Sequence, residues 1–146
     1  MESYLSDCKR IEEIAGEIYQ HLSKNKVYTD EVRKAFRQLS DEEKTHARHI
    51  DLVLQANESE ADATPTLAGP SLDDVLANAL YLLRKVKQGE MDEATSLRLA
   101  AYMEQKFAKI HIQNVLFFHN QKLAKLFDQL GKEDEAHLNI LNELMS

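Results

Sequence analysis

Two short strings place a carboxylate three residues before a histidine: Glu43 and His46 within EEKTH, and Asp134 and His137 within EDEAH. On a helix that spacing puts both side chains on one face about a turn apart, as a donor pair for a metal ion. The faces in question are otherwise apolar. Phe36 and Leu39 precede the first pair and Ile50 and Val53 follow it. Leu123, Phe127 and Leu130 precede the second, and Leu141 and Leu144 follow. An ionised carboxylate buried without compensation costs several kcal/mol, comparable with the whole stability margin of a domain. A positive partner is therefore required.

Two further stripes supply more donors. One reads Leu5, Cys8, Glu12, Ala15, Tyr19, Leu22, and the other Leu97, Ala101, Glu104, Ala108, His111, Val115, Phe118. Glu13 competes with Glu12 but points away from Ile11, Ile14 and Ile18; Glu133 competes with Asp134 but falls off the stripe. The candidate metal-ligating set is thus Glu12, Glu43, His46, Glu104, Asp134 and His137. Two divalent cations would cancel its four negative charges. One Glu from each of two helices, with a carboxylate-x-x-His from each of the other two, is the donor set of di-iron and di-manganese bundles. Oxygen-rich ligation with one imidazole per metal favours iron or manganese over structural zinc. No catalytic group beyond these ligands stands out.

The neighbouring residues read more plainly. Tyr19 and His111 are expected to be hydrogen-bonded core residues beside the ligands. His21, His49 and His119 fall off the stripes and should be solvated, and Glu42, Glu133 and Glu135 read as an exposed face. Cys8 reads as a small buried hydrophobe. Ala15, Gly16, Ala101 and Ala108 leave volume near the carboxylates.

The elements that must position these residues are helices. Periodicity predicts one over about 4–24, a second from an N-cap near Thr29 to about Gln55, a third long one over about 92–118 and a fourth over about 121–144. Residues 56–70 read as a loop, after which Ser71 should cap a shorter helix that Gly89 ends. The turn before the last helix falls at His119-Asn120, with no Gly or Pro to mark it. The chain also repeats internally. FRQLSDEEKTH (36–46) aligns with FDQLGKEDEAH (127–137), and Glu12 with Tyr19 aligns with Glu104 and His111. The plan is helix pair, long crossover carrying a short helix, helix pair: an all-α four-helix bundle forming a single domain over 1–146.

Bulk properties narrow the function. A chain of 146 residues, 43% hydrophobic and 29% charged, can bury a core without staples, and two prolines and four glycines suit long helices. The net charge of -7 argues against nucleic-acid binding. One cysteine permits no internal disulfide and no four-cysteine metal module. The sequence holds neither a signal-peptide pattern nor a membrane-span pattern, so no membrane association and a cytoplasmic location are expected.

At EEKTH, EDEAH, Glu12-x6-Tyr19 and Glu104-x6-His111 the chain resembles the ferritin-like superfamily, and most closely the rubrerythrin-like domain, over essentially its whole length. That resemblance implies a ferritin-like bundle with two iron ions, manganese or a mixed pair being the alternative. It implies reaction with O2 or H2O2 as an oxidoreductase of peroxidase type, an external electron donor and a homodimer. Ferroxidase-type iron oxidation for storage or delivery, and a metal-binding bundle without turnover, are the competing readings. Three departures stand out. Cys8 alone cannot supply the four-cysteine iron of a rubredoxin domain, and Ala101 and Phe107 stand where an additional Glu three residues from Glu104 is usual. Asp134 also replaces an expected Glu, one methylene shorter.

Overall fold

The computed structural model describes residues 2–56, 72–118 and 120–146. They form five helices: α1 (Glu2–Ser23), α2 (Asp30–Gln55), α3 (Asp73–Gln88), α4 (Glu93–Phe117) and α5 (Gln121–Met145). α1 packs along α2 and α4 along α5, α2 meets α5 across the bundle, and α3 lies against both α1 and α4. This is the all-α bundle with a crossover helix that the periodicity predicts.

Local chemistry sets the ends of the helices. The Thr29 hydroxyl accepts from the Val32 amide, the Asp92 carboxylate from the Thr95 amide at 2.8 Å, and the Asn120 side chain from the amides of Lys122 and Leu123. Each satisfies donors that a first helical turn leaves unpaired. α3 begins at Leu72 without a side-chain cap, and Ser71, the expected cap, lies outside the described residues, as does His119. Gly89 ends α3 at φ 72°, a left-handed conformation that suits glycine.

The repeated stripes become the core. Ile18, Tyr19, Phe36, Leu39, Phe107, Leu123, Phe127 and Leu130 are all essentially inaccessible. Between α1 and α2 the Gly16 carbonyl accepts from the Ser40 hydroxyl at 2.8 Å. At one end of the bundle the two turns are tied together. The Tyr28 hydroxyl donates to the Met91 carbonyl at 2.7 Å, and the Thr29 amide donates to Glu93 at 2.7 Å. The register of the first helix pair is thereby fixed against the second.

Candidate metal centre

All six candidate ligands are buried. Glu12, Glu43, Glu104 and Asp134 are 0% exposed and His46 and His137 are 2% exposed. Glu13 is exposed and Glu133 half-buried, so the choices the stripes made between neighbours match the burial. Two groups of donor atoms form, each with all its atoms within 4.8 Å of one another: Glu43, Glu104, Asp134 and His137, and Glu12, Glu43 and His46. Glu43 belongs to both. Its Oε1 lies 3.0 Å from His137 Nδ1 and 3.8 Å from His46 Nδ1. Asp134, which the repeat aligns with Glu43, joins one group only.

The site is unfinished as a protein interior. Both oxygens of Glu12 and of Glu43, one each of Glu104 and Asp134, and the Nδ1 atoms of His46 and His137 are buried without a hydrogen-bond partner. Buried polar atoms are nearly always satisfied, and eight orphans converging on one layer of the bundle call for a ligand. Hard oxygens with two imidazole nitrogens suit a pair of divalent iron or manganese ions. The residues present therefore fit the di-metal group that the donor set implies.

Without metal, protons take over the charge balance. Burial pushes the Glu43 carboxyl well above its usual range, reinforced by the negative charges of Glu12 and Glu104. Glu12 moves the other way: burial opposes its charge, but the facing Glu43, His111 and His46 side chains hold it well below the ordinary value. Burial raises Asp134 to about 7, with His111 opposing. The histidines rise against the cost of burial, His137 to about 9 through Glu104 and Glu42 and His111 to about 10 through Asp134 and Glu12.

Two partners had been read as surface residues. Glu133 Oε2 lies 2.5 Å from His46 Nε2, and Glu42 Oε2 lies 3.3 Å from His137 Nε2. Each carboxylate thus reaches the histidine of the opposite helix pair, which corrects the exposed-face reading for both; Glu135 is exposed as expected. A residue adjacent to a ligand sits about 100° round the helix, at the edge of the buried stripe, where a long side chain can turn inward. The sequence did hold a signal, since Glu42 and Glu133 occupy equivalent places in the repeat.

Tyr19 and His111 are the hydrogen-bonded core residues expected beside the ligands. The Tyr19 hydroxyl donates to Glu104 Oε1 at 2.5 Å. His111 places Nδ1 2.5 Å from Asp134 Oδ2 and Nε2 3.0 Å from Glu12 Oε1. Cys8 is buried and its thiol is pushed up by burial, as fits a packing residue. His21 and His49 are exposed. No helix among the described residues is long and apolar enough to cross a membrane.

Comparison with known proteins completes the picture. Neither the curated proteins nor the solved structures give a match to the chain. The family model described as Rubrerythrin matches residues 4–145, nearly the entire sequence and every helix that carries the buried carboxylates. A ferritin-like bundle with this cluster of carboxylates and histidines at its centre, matched over that length, belongs to the rubrerythrin family.

Proposed function

We propose that the chain is a single-domain di-iron carboxylate protein that reduces H2O2 or O2, with Glu12, Glu43, His46, Glu104, Asp134 and His137 as the metal ligands. The observation that carries this reading is the convergence of eight buried, unpartnered donor atoms from four helices. When bound, the iron pair supplies two electrons that, with two protons, reduce hydrogen peroxide to water.

The chain's own residues prepare that chemistry. Glu133 and Glu42 set negative charge against Nε2 of His46 and His137, whose Nδ1 atoms face the donor groups. Tyr19 engages one oxygen of Glu104 and leaves the other free. The surrounding leucine and phenylalanine layers keep bulk water out, which strengthens each charge interaction inside.

Turnover draws on an external electron donor, because the chain's one cysteine cannot build a second iron site of the four-cysteine type. A cytoplasmic homodimer is the assembly we favour. Anaerobic loading with Fe2+, followed by O2 or H2O2, tests the reading. The expected result is two irons per chain and near-ultraviolet ferric charge-transfer absorption that appears faster with H2O2. Failure to retain iron or manganese under any loading condition refutes the metal assignment. Oxidation by O2 alone, with release of ferric iron into a large closed shell, favours iron storage instead.

A further inference from the structure

The internal repeat is imperfect beside the donor groups, and the structure brings two of the altered residues, His111 and Asp134, into contact. Tyr19 on α1 corresponds to His111 on α4, and Glu43 on α2 corresponds to Asp134 on α5. A phenol has one hydrogen to donate, and Tyr19 gives it to a single carboxylate, Glu104. An imidazole has two nitrogens at opposite sides of its ring, and His111 sets one against Asp134 Oδ2 at 2.5 Å and the other 3.0 Å from Glu12 Oε1. Asp134, a methylene shorter than the glutamate it matches, keeps only Oδ1 unpartnered, whereas Glu43 keeps both oxygens. The donor groups differ accordingly: four residues around His137, with Asp134 among them, and three around His46, without it.

We infer that His111 is a positioning residue that makes the two metal positions unequal, by holding Asp134 on the His137 side and leaving the His46 side with three protein ligands. The inference rests on the di-metal reading. The His137-side position is the tighter. The His46-side position, with three protein donors, would bind its metal more weakly and leave room for a small exogenous ligand. Nothing in the hydrophobic core demands a histidine here, since the equivalent place on α1 is filled by a buried tyrosine.

Anaerobic titration of the metal-free chain with Co2+ tests this. The visible d–d bands report coordination number, and equilibrium dialysis counts the ions bound. Wild type should bind two Co2+ in two steps separated at least tenfold in affinity, with different spectra. His111→Tyr, which copies the first helix pair, should bring the two affinities within about threefold. His111→Gln, which keeps an N–H directed at Asp134, should restore the separation. Asp134→Glu restores the missing methylene and should also merge the steps, so a failure of His111→Tyr to fold leaves a second route. A wild-type titration with two equal sites overturns the inference alone. So does a separation that persists in folded His111→Tyr or in Asp134→Glu. A wild-type chain that binds no Co2+ and no iron overturns the metal reading beneath it.

Discussion

Replacing Glu43 with glutamine should move stability and metal binding in opposite directions. Glu43 is fully buried, neither of its oxygens has a hydrogen-bond partner, and burial with the neighbouring Glu12 and Glu104 charges pushes its carboxyl far up. The metal-free fold must therefore take up a proton there or bury a charge. Glutamine has the same shape and carries no charge. Relief of a buried unsatisfied group is worth about 1–3 kcal/mol. For a chain of this length that raises the metal-free melting midpoint by about 3–10 °C. With metal the sign reverses, because Glu43 is the residue common to both donor groups. An amide in its place should lower the metal count from two toward zero and abolish the metal-induced rise in midpoint. Calorimetry in chelator and with added Mn2+, alongside elemental analysis, measures both effects. A Glu43→Gln protein that is less stable without metal, or that still binds two ions with an unchanged midpoint shift, would refute the reasoning.

His46→Ala removes the imidazole of the three-residue group, and the chain should then retain no more than one metal; elemental analysis showing two would exclude His46 as a ligand. His137 titrates near 9 in the fold against 6.5 ordinarily, so its stabilising effect is complete below pH 6.5 and disappears as pH rises through 9. The metal-free midpoint should fall over that window by up to about 3 kcal/mol of stability, while the increment conferred by metal grows as protons cease to compete. Parallel midpoint curves with and without metal would count against this. A Cβ added to Gly16 would meet Lys44 Cγ at 3.5 Å and Glu43 Cβ at 3.7 Å, ordinary contact distances. Gly16→Ala should accordingly stabilise the chain by about 0.5–1 kcal/mol and leave the metal count at two; a loss of stability would show that α1 and α2 cannot accommodate the methyl.

What the sequence revealed follows from what periodicity measures. Phe36, Leu39, Ile50, Leu123, Phe127 and Leu141 recur at helical spacing, so the four long helices and their inward faces were legible. Glu12, Glu43, Glu104 and Asp134 interrupt those faces, and an interruption is visible because it breaks a pattern. Glu42 and Glu133 were misread because they break nothing. They sit at the stripe edge, and only the packing of α2 against α5 brings their carboxylates to the histidines. The confinement of Asp134 to one donor group was hidden too, since it depends on a contact between α4 and α5 that spacing along either helix does not encode. The N-cap at Thr29 was local and readable, whereas α3 begins at Leu72 with no side-chain cap.

The unequal packing of the bundle bears on how the molecule opens. α1 and α2 run together over most of their length, as do α4 and α5, while α2 and α5 touch over a shorter stretch. The chain is in effect two hairpins closed along a seam, and the donor group that draws residues from both, Glu43 with Glu104, Asp134 and His137, lies in that seam. A cation held there would act as a clasp between the hairpins, so metal supply would bear on how readily one lifts from the other. In the metal-free protein the expected first opening is along this seam, resisted by α3 and by the Tyr28–Met91 and Thr29–Glu93 ties.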